Sequence, residues 1–226
     1  MEESLRYIRN LGAITPQEQE LLRNRRVCIV GCGGLGGWLI EYLARIGVGH
    51  LTVVDGDRFD RTNLNRQLLS SEENLGRAKA SEAKRRLAAI NSAVEVSAVE
   101  VFLTEENAAA ILRDQDLVLD ALDSIPARLM LQRVCAEQKL PLVHGAVEGW
   151  FGQVTTVLPG DDTLSRLYPG GNSSENAPAT LSFAPGLIAA LQAAEAVKLL
   201  LGREPSYRRR VLFADLLQNR FDSMPM

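Results

Sequence analysis

Apolar positions along the chain gather into short runs of strand length: residues 27–30 (VCIV), 51–54, 94–99, 117–120 and 141–144. Between them, residues 35–46, 77–90, 105–112 and 126–138 carry apolar side chains at helical spacing. Strand and helix signals alternating in this way predict an α/β fold with a mainly parallel sheet flanked by helices. Ahead of the first strand, residues 3–10 and 16–24 read as short N-terminal helices. The second has Thr15 as N-cap, Pro16 at its first position and Glu18 three residues after the cap.

After residue 144 the rhythm changes. Residues 152–160 (GQVTTVLPG) read as extended, and the following stretch is rich in Pro, Gly, Ser and Asn, which predicts a long crossover segment or lid over 159–183. A helix over 185–201 stops at Gly202, and RRVLFAD (209–215) reads as a strand. With no internal repeat and no second core pattern, a single domain over 1–226 is expected, its first 25 residues forming the N-terminal helical segment.

Composition narrows the function classes. With 25 Lys plus Arg against 28 Asp plus Glu, the net charge of -3 gives no global reason for binding nucleic acid or an anionic membrane. Clusters such as Arg23, Arg25, Arg26 and Arg208 to Arg210 read as solvated faces. No apolar run reaches the roughly 18 residues of a membrane span, and MEESLRYIRN is charged rather than signal-like, so a cytoplasmic location is expected. Cys28, Cys32 and Cys135 form neither a secreted disulfide framework nor a C-x-x-C knuckle. Cys28 and Cys135 are expected in the core, with Cys32 in a loop.

The candidate chemistry begins at that loop. Gly31, Gly33 and Gly36 follow the first strand with G-x-G-x-x-G spacing and open a helix, a Rossmann-like arrangement in which backbone N–H groups approach phosphate oxygens. Asp55 ends the next strand, about twenty residues or slightly more beyond the first glycine, where a carboxylate accepts hydrogen bonds from a ribose diol. Any ribonucleotide satisfies these requirements, NAD included. Asn63, Arg66, Gln67 and Lys79 follow, and arginine and lysine neutralise a triphosphate. Asp120 and Asp123 fall at the carboxyl edge of the fourth strand; Asp123 is the candidate Mg²⁺ ligand, whereas Asp120 reads as a strand terminator.

The ordered segments GCGGLGGWLIEYLARIGVGHLTVVDGDRFDRTNLNRQLL, LGRAKASEA, DLVLDALD, PLVHGAVEGWFGQV and LQAAEAVKLLLG resemble the MoeB/ThiF/HesA family of ubiquitin-activating-type adenylating enzymes over nearly the whole chain. The resemblance implies ATP and Mg²⁺ and adenylation of the C-terminal Gly-Gly carboxylate of a small ubiquitin-fold sulfur-carrier protein, with release of pyrophosphate. By the same resemblance Gly31, Gly33, Gly34, Asp55 and Asp57 hold the nucleotide, Asn63 and Arg66 grip phosphates, Lys79 stabilises charge at the α-phosphate and Asp123 binds Mg²⁺. Arg9 matches an arginine that family dimers supply to the neighbouring subunit's nucleotide, which implies a homodimer. Related readings are a ThiF-like enzyme that adenylates a small carboxylate or modified tRNA, and a non-catalytic nucleotide-binding scaffold.

The pattern is broken in three places. Many relatives carry two C-x-x-C pairs for zinc, but Thr163 and Arg166 occupy the first pair's positions and RFDSMPM ends without cysteine, so no zinc is expected. The crossover sequence GGNSSENAPATL has no cysteine for a thioester or persulfide. Ser124 stands where relatives often have Asn beside the metal acid. His144, near the carboxyl edge, is a minor candidate for contact with nucleotide or carrier tail.

Overall fold

A computed structural model describes residues 5–171 and 179–226. In chain order the elements are α1 (Pro16–Arg23), β1 (Arg26–Val30), α2 (Gly34–Ile46), β2 (His50–Val54), α3 (Lys79–Ile90), β3 (Glu95–Val99), α4 (Glu105–Ile111), β4 (Leu117–Asp120) and α5 (Ile125–Glu137). They continue with β5 (Leu142–Glu148), β6 (Phe151–Val157), α6 (Thr163–Leu167), α7 (Phe183–Leu200), β7 (Arg210–Asp215) and β8 (Arg220–Pro225). The eight strands form one sheet in the order β3-β2-β1-β4-β5-β6-β7-β8. The pairs from β3 through β5 are parallel, and β6, β7 and β8 add antiparallel partners.

Alternation along β1 divides the core. Val27 and Ile29 pack with α2, α3 and α7 on one face, through Leu39, Leu87 and Ile188 among others. Cys28 and Val30 pack with α4 and α5 on the other, through Ala108 and Leu131. Helix α7 is long and apolar enough, by length and composition, to cross a bilayer; here half of it is buried in the fold, against β4, β5, β6 and α2. Its polar residues serve that packing. Glu195 accepts from Thr156 Oγ1 at 3.1 Å and from the Ser206 amide at 2.9 Å, and Gln192 Nε2 donates to the Asp120 and Val143 carbonyls.

Several elements differ from the sequence reading. Among the described residues of the expected 3–10 helix, 5 and 6 are helical and 7–10 are turns, because Asn10 Nδ2 donates to the Ile46 carbonyl and to Gln19 instead of facing solvent on a helix. Helix α3 starts at Lys79 rather than residue 77, since Arg77 and Ala78 pair with the segment from Asp57 to Phe59. Strand β5 runs on to Glu148 and turns through Gly149 into β6. Strand β8 was not expected at all. The crossover stretch contains α6, and residues 172–178 of it lie outside the described residues.

Candidate functional site

Strand order reverses between β1 and β4, and the cleft that opens at their carboxyl ends is the place where open α/β sheets bind ligands. Gly31 turns the chain there with φ +99, and a Cβ on it would lie 2.5 Å from the Ala121 carbonyl oxygen. A Cβ on Gly36 would lie 1.8 Å from the Gly31 oxygen, so the second glycine lets α2 seat directly on the turn. Gly31, Gly33 and Gly34 line the cleft. No side chain caps α2 and no acid sits in its first turn, which leaves first-turn amides and the positive end of the helix dipole for an anionic ligand.

Asp55, at the end of β2, faces the same cleft. Its Oδ2 accepts from the Cys32 amide at 2.7 Å and its Oδ1 from the Asp57 amide at 2.8 Å, and each oxygen retains acceptor capacity for a ribose hydroxyl. Burial pushes the carboxyl above its usual range, opposed by those two amides and by the charge of Lys79. Lys79 opens α3 with its side chain 8% exposed, and its Nζ lies 3.1 Å from Asp57 Oδ2. Arg66 Nη1 donates to the Thr62 carbonyl at 2.7 Å and to Asn65 Oδ1 at 2.9 Å, which fixes the guanidinium at the rim. Asp123, exposed, faces the cleft beside Arg128. Val101, Phe102 and Leu103 supply an apolar wall.

Nine residues singled out in the sequence, Gly31, Gly33, Gly34, Asp55, Asp57, Arg66, Gln67, Lys79 and Asp123, therefore line one cleft. Asn63 does not line it. Buried, it accepts from the Asp60 amide and donates to Thr62 Oγ1, while its carbonyl takes the amides of Arg66 and Gln67, so it shapes the loop that presents Arg66. Arg9 is exposed on the N-terminal segment, whose neighbours Tyr7 and Asn10 bond Asn91 and Ile46 at the opposite edge of the sheet, so it does not serve its own cleft.

His144 is fully buried and bonds Asp120, so it faces neither nucleotide nor tail. Cys32 is also sealed, and burial drives its thiol well above the usual range, with the Asp55 charge adding to the effect. Ser124 caps α5 by accepting from the Ala127 amide at 3.3 Å. Sequence reasoning missed Arg128 and Phe102; the available signal for Arg128 was a cation in the helix that opens directly after Asp123.

The sequence profile of the ThiF family matches residues 6–226. The chain belongs to the ThiF family. Among ThiF-family relatives, the sulfur carrier protein adenylyltransferase of Thermus thermophilus is 37% identical, with 97% of this chain and 86% of that protein covered. The molybdopterin-synthase adenylyltransferase of Escherichia coli is 36% identical, with 100% and 93% covered. The crystal structure of Escherichia coli MccB with AMPCPP and MccA superposes with a TM-score of 0.85 at 26% identity, covering 99% of this chain and 72% of that one. The ThiF fold was thus read correctly from the ordered motifs.

Proposed function

We propose that this ThiF-family protein is an ATP-dependent adenylyltransferase that activates the C-terminal Gly-Gly carboxylate of a small ubiquitin-fold sulfur-carrier protein. The observation that carries the reading is the convergence, in one cleft, of an uncapped helix N-terminus, the acid Asp55, the cations Arg66 and Lys79 and the exposed acid Asp123. That set suits a ribonucleoside triphosphate better than a dinucleotide, whose two phosphates need far less cationic charge.

In the reaction the carrier carboxylate attacks the α-phosphorus. A carboxylate–phosphorus bond forms, the bond from the α-phosphorus to the bridging oxygen breaks, and pyrophosphate leaves with the electron pair. The attacking group is already ionised near neutral pH, so no general base is needed. The protein must instead bring two anions together and stabilise a third, which is the work of Lys79 and Arg66. Asp123 would hold Mg²⁺, whose chemistry is neutralisation of phosphate charge. Mg²⁺ characteristically binds through one or two carboxylates together with phosphates and water, so a single acid at this place is enough to hold it.

Arg9 acts in trans in this reading, reaching the nucleotide of a second copy in a homodimer. All three cysteines are buried, so sulfur transfer onto the acyl-adenylate falls to another protein. The test is pyrophosphate exchange into ATP. Exchange is expected only with a carrier ending in Gly-Gly; exchange driven instead by a small carboxylate or a modified tRNA would replace the substrate, and tight NAD binding without ATP binding would overturn the reaction.

A further inference from the structure

Behind the cleft, polar side chains from four elements close a ring that the reaction above leaves unused. His144 Nδ1 lies 2.6 Å from Asp120 Oδ2 and its Nε2 lies 2.9 Å from Tyr168 Oη, with His144 and Asp120 fully buried. Tyr168 Oη also receives Arg128 Nη1, at 3.1 Å, and Gln153 Nε2. Both are nitrogen donors, and Gln153 Nε2 also lies 3.3 Å from His144 Nε2, so the arrangement is satisfied by an unprotonated Nε2 that accepts the phenol proton, with Nδ1–H donating to Asp120. Burial keeps His144 neutral by lowering its pKa, and raises Tyr168 to about 12, so the phenol keeps its proton.

The ring closes through Leu122. Asp120 Oδ1 accepts its amide at 2.9 Å, while Arg128 Nε and Nη2 donate to its carbonyl at 3.1 and 2.8 Å. Leu122, Asp123 and Arg128 all line the nucleotide cleft, whereas Tyr168 follows α6 at the start of the crossover stretch. One hydrogen-bonded circuit thus fixes the turn that carries Asp123 from both of its backbone groups, and spends three guanidinium N–H groups of Arg128 to do so. A circuit satisfied at every member is rigid, and opening it at one point leaves buried polar groups unpaired.

We infer that Asp120, His144 and Tyr168 are positioning residues that preset Arg128 and the Asp123 turn for ATP–Mg²⁺, so that placement of the crossover segment sets the geometry of the phosphate end of the cleft. The inference deepens the adenylyltransferase reading and rests on it. Tyr168→Phe removes one oxygen and opens the ring between His144 and Arg128. About a tenfold rise in KM for ATP–Mg²⁺ is expected, of the size that loss of an outer supporting partner produces, with KM for the carrier within about twofold of wild type.

Arg128→Lys keeps the charge yet cannot hold Leu122 and Tyr168 together, so it should show the same loss, and the double variant should be no worse than either single one. An unchanged KM for ATP in either variant, or additive losses in the double one, would overturn the inference; if Tyr168→Phe does not fold, Arg128→Lys alone decides. Nitrogen NMR of the histidines supplies a separate reading: an unprotonated Nε2 on His144 is expected, and a protonated one sinks the ring. If wild type shows no exchange with any carrier, the adenylyltransferase reading fails, while calorimetry of ATP–Mg²⁺ on the same variants still decides the role of the ring.

Discussion

Lys79 and Asp57 form an ion pair of unequal members: the ammonium is 8% exposed and the carboxylate 54%, at 3.1 Å. The cation is held within the fold, while the acid that pairs with it stands largely in solvent at the cleft. Replacing Lys79 with Ala is expected to lower pyrophosphate exchange at least about a hundredfold, the loss typical of removing one preorganised donor to developing charge. Circular dichroism should show the fold retained, and near-normal exchange would remove Lys79 from the reacting centre.

Glycines of one loop should respond differently. A Cβ at position 36 meets the Gly31 oxygen at 1.8 Å, whereas at position 34 it meets Pro185 Cγ at 3.4 Å and faces the cleft. Gly36→Ala should cost about 3 kcal/mol in urea denaturation. Gly34→Ala should leave the denaturation midpoint in place and weaken ATP binding in calorimetry.

Asp123 is exposed, and among the described residues the side-chain bonds that hold its turn come from Asp120 and Arg128 to Leu122. Asp123→Asn should therefore preserve the melting temperature and raise the Mg²⁺ concentration needed for half-maximal exchange about tenfold or more. A Mg²⁺ titration unchanged from wild type would move the metal elsewhere.

How far such roles can be read from residues alone depends on where the information resides. β1, β2 and β4 were legible because most of their residues are buried between two helical layers, which writes a continuous apolar run into the chain. β8 was not, because all six of its residues are exposed and it exists through its register with β7, from Arg210↔Pro225 to Asp215↔Arg220. Its identity lies in its neighbour. Asn63 was singled out by its place in the TNLNR segment, but its bonds within its own loop depend on direction, which residue type does not encode. Arg128 has a local signal in the helix that opens directly after Asp123, but its tie to Tyr168, 40 residues away, is not written in the neighbouring chain.

The buried histidine makes stability depend on pH. Burial holds folded His144 below its ordinary value of 6.5, and Asp120 from β4, only partly opposing this, shares its surroundings with Arg128 from α5, Gln153 from β6 and Tyr168. Between the ordinary and the lowered value the unfolded chain binds more protons than the folded one. The His144 contribution is thus fully present above the ordinary value and is lost as pH falls through that window. Lowering the pH from about 7.5 to about 5.5 should reduce the urea midpoint, and His144→Gln should flatten that slope. Equal slopes would contradict the assignment.

Arg9 lies at the opposite edge of the sheet from the cleft, so the proposed dimer has a direct complementation test. Arg9→Ala and Lys79→Ala should each be inactive alone. Mixed and re-equilibrated, they should regain a substantial fraction of exchange, because a mixed dimer holds one cleft with both residues intact. Failure to regain it, with subunit exchange verified by mass, would confine catalysis to a single chain.

The sealing of Cys28, Cys32 and Cys135 has a consequence beyond sulfur transfer. Since burial raises the pKa of each thiol, none offers thiolate to an oxidant, an alkylating agent or a stray disulfide. The folded chain therefore presents no reactive thiol, so oxidants and alkylating agents are expected to leave it unmodified until it unfolds.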